Sequence, residues 1–434
     1  MSRRARKSGG RQLELIVKEV GGHGDGVAYT VQGQPVFIPL TLPGERVLTR
    51  LVAEKTIGHE SQLIELLEAS QERREPPCPH FGPCGGCQLQ HWQENSYHAW
   101  KQERIAKALM RAGFTASRLE PLFIVPLHSR RRACFALERK EDGQVIVGFR
   151  GRASDRLSSI PHCVILVPEL IALLEPLCEL GGNLLAPKQS ARVHVNLSDT
   201  GVDLLLHLPF EPERTEHVEA VSDFARMYDL ARVTWNKNIL LVRREPYIVL
   251  DKPFTVPLPP GGFMQATQES FDVMRAVLES VLPSQINRAA DLYCGVGVFT
   301  FSLLKRAKQV LAADADQEAI KALERCAKGA ALSSKLTLFC QKLDMRPLHR
   351  SQLQDLDFVI LDPPRAGAQK QMAELVAAKP KHIFYISCNP ITFARDSKLL
   401  YDAGYRLEKA AGFDQFLYAA HIELVAFFTR DNNH

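Results

Sequence analysis

RAADLYCGVGVFTFSLLKRAKQVLAADA (Arg288–Ala315) decides the fold. An apolar run ends at Asp291 and a Gly-x-Gly loop follows (Gly295, Gly297). A helix-like stretch then leads to a second apolar run ending at Asp314. Strand, glycine turn, helix, strand is the unit of a parallel sheet, because parallel neighbours need a crossover. The glycines let the backbone approach a ligand closely, and ligands bind beyond the carboxyl ends of such strands.

The alternation continues. DFVILDPP (Asp357–Pro364) and KHIFYIS (Lys381–Ser387) read as strands, and QEAIKALERCAKGA, KQMAELVAAK and TFARDSKLLYDAG read as helices. This predicts an α/β, doubly wound, Rossmann-like sheet. YRLEKAAGF and HIELVAFFTR close it as two antiparallel strands expected at its edge.

Upstream the period differs. Residues 11–69 alternate apolar and polar positions in short runs broken by Gly and Pro, which suggests a small OB-type β-barrel. RREPP marks a linker into a cysteine-rich loop at 70–92. Residues 93–260 then form a central β-rich α+β region that opens with a helix, and PFTVPLPPGG precedes the last domain, 261–434. The chain has 434 residues, 45% of them hydrophobic and 24% charged. That is ordinary globular composition, with no apolar run long enough to span a membrane and none resembling a secretion signal. A cytoplasmic location is expected. The net charge of +5 conceals clusters: a basic arm at 1–10 continued by Arg11, then SRRR (Ser129–Arg132) and GFRGR (Gly148–Arg152). These point to a polyanionic partner.

Ten cysteines in a reducing compartment are not mainly disulfides. PCPHFGPCGGCQLQH spaces Cys78, Cys84 and Cys87 in Gly/Pro turns, and IPHCVIL adds Cys163. Four thiolates suit tetrahedral zinc or an iron–sulfur cluster, and the spacing does not choose between them. Cys134, Cys178, Cys326 and Cys340 carry no such pattern.

Asp314 is placed to accept hydrogen bonds from ribose hydroxyls. A dinucleotide fingerprint wants a third glycine where Thr300 stands. S-adenosylmethionine, which has no phosphate, does not need it. LDPPRAG (Leu361–Gly367) and YISCNPITFARD (Tyr385–Asp396) end successive strands, so Asp362 and Cys388 should face the same crevice. In HIELVAF the carboxylate of Glu423 interrupts an apolar strand, which is costly unless it is paired or used. Together these residues suggest a particular chemistry. A soft thiolate adding to carbon 6 of uracil makes carbon 5 nucleophilic, and a general base later removes the carbon 5 proton. Cys388 fits the nucleophile and Glu423 the base.

CPHFGPCGGCQLQH, LDPPRAG, SCNPITFARD and HIELVAFF resemble the iron–sulfur RNA 5-methyluridine methyltransferases, class I enzymes with an N-terminal TRAM domain. The likeness covers nearly the whole chain and is nearest to the branch acting on bacterial large-subunit ribosomal RNA. It implies a TRAM barrel at 11–69 that binds RNA and a 4Fe–4S cluster on Cys78, Cys84, Cys87 and Cys163. It also implies an S-adenosylmethionine site lined by Gln265, Tyr293, Asp314 and Asp362, to which the loop glycines Gly295 and Gly297 and, as the candidate adenine-side acid, Asp344 are added. The implied partner is 23S ribosomal RNA, with neither DNA nor membrane, and the implied state is a monomer. Thr267 and Val298 depart from the family, where asparagine is common. Three rival readings remain open: a transfer-RNA uracil methyltransferase, an amino-methyltransferase using the DPPR loop, and a non-catalytic RNA-binding factor.

Overall fold

The computed structural model describes residues 10–152, 154–212, 214–251 and 254–430; most of the basic arm, including Arg3, Arg4, Arg6 and Lys7, lies outside them. The chain divides into two units. One comprises residues 1–100, 149–164 and 416–421, and the other residues 101–148, 165–415 and 422–434. No helix among the described residues is long and apolar enough to cross a membrane.

In the first unit a six-stranded sheet runs in the order Gln12–Ile16, Arg46–Glu54, His59–Glu68, Pro35–Ile38, Gly26–Tyr29, Glu19–Val20. Its two edge strands, Gln12–Ile16 and Glu19–Val20, are consecutive in the chain. Alternation fills the interior: Val47, Thr49 and Leu51 point inward from one strand, beside Val17, Ala28, Val36 and Ile38. The fully buried Glu45 accepts hydrogen bonds from Arg73 Nε (2.6 Å) and Nη2 (2.9 Å). Arg73, which reads as a linker charge, is therefore a bolt onto the barrel.

In the second unit Arg132–Arg139, Ser190–Ser198, Gly201–His207, Arg232–Trp235 and Asn238–Val242 are five of the seven strands of the central sheet. The helix Leu174–Leu184 lays Leu174, Leu177, Leu180, Gly181 and Leu184 inward at helical spacing. SRRR is not simply a solvated patch. Arg131 is 5% exposed and donates from Nε to the Gln265 carbonyl (3.3 Å), with a further bond to Gln268.

The large sheet runs Leu336–Cys340, Ala307–Asp314, Ile286–Leu292, Phe358–Leu361, His382–Ser387, Glu423–Thr429, Arg406–Asp414, with Phe123–Ile124 added outside. The first five strands are parallel. The C-terminal pair corrects one expectation. The last strand does not lie at the edge but inserts, antiparallel, between His382–Ser387 and Arg406–Asp414. Its sequence ELVAFF is buried almost throughout, as a central strand must be. The consequence for the site is direct: an antiparallel strand begins where its parallel neighbours end.

Candidate active site

Four parallel strands end together at Leu292, Asp314, Leu361 and Ser387, and the inserted strand starts there with Glu423. In the first loop Tyr293, Gly295 and Gly297 all have positive φ (64°, 54° and 86°). The two glycines are required for different reasons. A Cβ on Gly295 would meet only open space, so its need is conformational. A Cβ on Gly297 would lie 2.5 Å from Leu323 of the next helix. Asp314 accepts from the Gly295 N–H (2.8 Å) and the Asp316 N–H (2.8 Å), which ties the loop to the neighbouring strand end.

Thr300, at the third-glycine position, donates its hydroxyl to Asp291 (2.5 Å). Asp291 is 1% exposed, and burial, with Asp362 and Asp314 nearby, pushes its pKa to about 7 despite that bond. Tyr293 stands close enough to feel the exposed Asp344, and its hydroxyl is buried without a hydrogen-bond partner. Thr267 caps the helix Gln268–Val281 by accepting from the Ser270 N–H (3.2 Å). Val298 packs on the core. These two departures from the family thus carry local structure here.

The second half of the site is built by two loops that lock together. Asn389 accepts from the Ile391 N–H (3.1 Å), capping the helix that starts at Pro390, and donates Nδ2 to the Arg365 carbonyl (3.1 Å). Thr392 reaches the same carbonyl (3.3 Å), and Arg395 donates to the Ala366 carbonyl (2.9 Å). Fully buried Asp396 accepts from the Ala368 N–H (2.6 Å) and the Tyr385 hydroxyl (2.8 Å). The polar residues of SCNPITFARD therefore hold DPPRAG in place, which fixes Asp362 and Arg365 relative to Cys388.

Charge distribution follows burial. Half-buried Cys388 is pushed up to about 11, first by loss of water, then by Glu423 and Asp362, while Arg365 pulls the other way. Glu423 rises to about 8 through burial and Asp362, partly relieved by a hydrogen bond from Gln415. Asp362 rises to about 7 through burial and Asp314. Buried acids with raised pKa values beside a thiol mark a candidate functional site. Gln265, 7% exposed, accepts from Gln415 Nε2 (3.2 Å). Sequence reasoning did not find Gln415, Thr300 or Asp396 as members of the site. Apart from Arg395 beside Asp396, their partners stand 8 to 150 positions away, and no local spacing signals them.

None of the four cysteines of the first unit, Cys78, Cys84, Cys87 and Cys163, is in a disulfide. Cys84 and Cys87 each feel Cys163 and Cys78, and Cys87 is pushed up to about 12 by burial. The segments carrying them are joined: Gly85 N–H donates to the Arg150 carbonyl (3.2 Å) and Ser158 to the Pro83 carbonyl (2.9 Å). His80 Nε2 and both ring nitrogens of His91 are buried there without partners. Among the described residues no group of three or more His, Cys, Asp or Glu is arranged to hold a metal ion.

The family model for tRNA (uracil-5-)-methyltransferases matches residues 99–431. An RNA methyltransferase of Caulobacter vibrioides is 39% identical over 96% of this chain and 100% of its own length. The 23S rRNA (uracil(1939)-C(5))-methyltransferase RlmD of Pectobacterium atrosepticum is 33% identical, covering 97% and 94%. The crystal structure of Pyrococcus abyssi tRNA (uracil-54, C5)-methyltransferase, solved with S-adenosyl-L-homocysteine, has the same fold. It superposes with a TM-score of 0.70 at 22% identity over 96% of this chain and 100% of that one.

Proposed function

The chain belongs to the tRNA (uracil-5-)-methyltransferase family, and from that premise we propose that it methylates carbon 5 of one uridine in 23S ribosomal RNA through a covalent Cys388–uracil adduct. The observation that carries the mechanism is the convergence of Cys388, Glu423 and Asp362 at one edge of the sheet. The whole-length likeness to the Pectobacterium enzyme supports ribosomal over transfer RNA as the target.

The Cys388 sulfur attacks carbon 6 of the uracil, and the carbon 5–carbon 6 π pair moves toward carbon 5 and O4. Carbon 5 then takes, with that electron pair, the electrophilic methyl group that S-adenosylmethionine would supply, and the electrons of the broken methyl–sulfur bond leave with S-adenosylhomocysteine. Gly295, Gly297, Asp314 and Asp362 would hold the cofactor, with Gln265, Tyr293 and Asp344 around it. Glu423 then takes the proton from carbon 5. The electrons of that C–H bond restore the carbon 5–carbon 6 double bond, and the Cys388 thiolate leaves. Asn389 presents Cys388, and Arg365 offsets charge developing beside it. The DPPR loop carries Arg365 where an amino-methyltransferase would stack an aromatic ring, which disfavours that reading.

Cys78, Cys84, Cys87 and Cys163 are the residues that would hold a 4Fe–4S cluster. What supports that reading is the chemistry of the donors: four thiols within electrostatic reach of one another, none in a disulfide, three of them on Gly/Pro turns. Bound there, a cluster supplies a sulfur-ligated cross-link between the 78–87 loop and residue 163. The 11–69 barrel is proposed to grip RNA phosphates.

The test is to incubate the protein and S-adenosylmethionine with ribosomal and transfer RNA from a strain lacking the gene, then identify new nucleosides by mass spectrometry. 5-Methyluridine in 23S RNA is expected. 5-Methyluridine confined to transfer RNA, or a methylated adenosine, would overturn the assignment.

A further inference from the structure

Gln415 follows the strand Arg406–Asp414, in which Phe413 pairs with Glu423. Its backbone is anchored next door, where fully buried Asp414 meets fully buried Lys101 of the helix Glu94–Ala112. The Gln415 side chain is 2% exposed. Its NH2 group has two acceptors, Gln265 Oε1 at 3.2 Å and the carboxylate of Glu423. Its carbonyl oxygen, Oε1, is buried and has no hydrogen-bond donor among the described residues.

An unsatisfied buried carbonyl is costly. While Glu423 is ionised, the state in which it acts as base, the amide cannot remove that cost by turning over, because its oxygen would then face the carboxylate. It is a fixed acceptor beside the residue assigned as the base. Resting on the functional reading above, we infer that Gln415 is a specificity-determining residue: its carbonyl oxygen accepts the N3–H of the target uracil. Carbon 5, which Glu423 must reach, lies two ring atoms from N3, so one base can meet both residues.

Cytosine presents a bare acceptor at N3 and would set lone pair against lone pair. A freely turning glutamine would read either base; one anchored through both N–H bonds reads only uracil. A site built to hydrogen-bond one group rejects an analogue lacking it far more strongly than an apolar pocket does.

The experiment compares RNA carrying uridine, cytidine or 3-methyluridine at the methylated position, using the full-length protein, its Gln415→Met variant and its Gln415→Ala variant. Wild type should prefer uridine over either analogue by about 100-fold or more in kcat/KM. In Gln415→Met the uridine-to-cytidine ratio should fall by roughly 10-fold or more. Gln415→Ala opens room for the N3 methyl and should narrow the uridine-to-3-methyluridine ratio. Equal slowing of uridine and cytidine, with the ratio unchanged, would reduce Gln415 to a support for Glu423 and overturn the inference. Wild type accepting 3-methyluridine as well as uridine would overturn it without any variant. Failure of wild type to methylate uridine at all would instead overturn the functional reading, and this inference with it.

Discussion

Glu423 faces Cys388 because the strand that carries it runs against its neighbour. Ser387 pairs with Leu424 across the antiparallel ladder, and Cys388 and Glu423, the proposed nucleophile and base, each stand one step beyond that rung. Proximity is thus set by backbone register, and the raised pKa of each group follows from sharing a small, water-poor space.

Removing the base should stall the reaction after methyl transfer. Glu423→Gln should lose about 10²–10⁴-fold in turnover, yet accumulate a denaturant-resistant protein–RNA complex. Cys388→Ala should form none. Gel mobility under denaturing conditions distinguishes the two.

The rate should climb with pH. Glu423 must be ionised to act after methyl transfer, and its pKa of about 8 means that kcat rises between pH 6 and about 8, with the Cys388 thiol, at about 11, leaving room for a further rise above that interval. A flat profile across that interval would contradict the assignment.

Stability should move the opposite way. Glu423 binds its proton more tightly folded (about 8) than unfolded (4.5), so its burial penalty is absent below 4.5 and grows as pH rises toward 8. Glu423→Gln escapes that penalty. Its melting temperature should exceed that of wild type by several degrees at pH 8.5 and by little at pH 5. Equal differences at both would locate the effect elsewhere.

Two glycines two positions apart should respond unequally. Gly295→Ala meets no neighbour and carries only the cost of positive φ, about 1–2 kcal/mol. Gly297→Ala adds a 2.5 Å collision with Leu323 and should weaken S-adenosylmethionine binding and thermal stability clearly more. Calorimetry on both variants settles the order.

The cysteine loop has its own signature. Protein purified without air should be brown, and Cys84→Ser should bleach it and weaken RNA binding more than cofactor binding. A colourless preparation holding about one zinc per chain would contradict the cluster proposal.

The sheet and Cys388 were legible because strand–turn–helix periodicity places strand ends on one side, whatever the distant partners are. Glu423 was legible as a carboxylate in an apolar strand. The insertion of that strand was not, since buried antiparallel and parallel strands share one apolar pattern. The interlock of Asp396 with Ala368, the Thr300–Asp291 bond and the Gln415–Gln265 bond depend on long-range packing. Arg131 misled for the same reason: a basic run reads as surface until its partners are known.

The most direct test of the central claim uses RNA carrying 5-fluorouridine at the methylated position. Fluorine replaces the proton that Glu423 must remove, so the reaction should stop with Cys388 still bonded to carbon 6. Intact mass should show one methylated nucleotide adduct per chain, and peptide mapping should place it on Cys388. No adduct from an enzyme that methylates the same RNA with uridine in place would contradict covalent catalysis by Cys388.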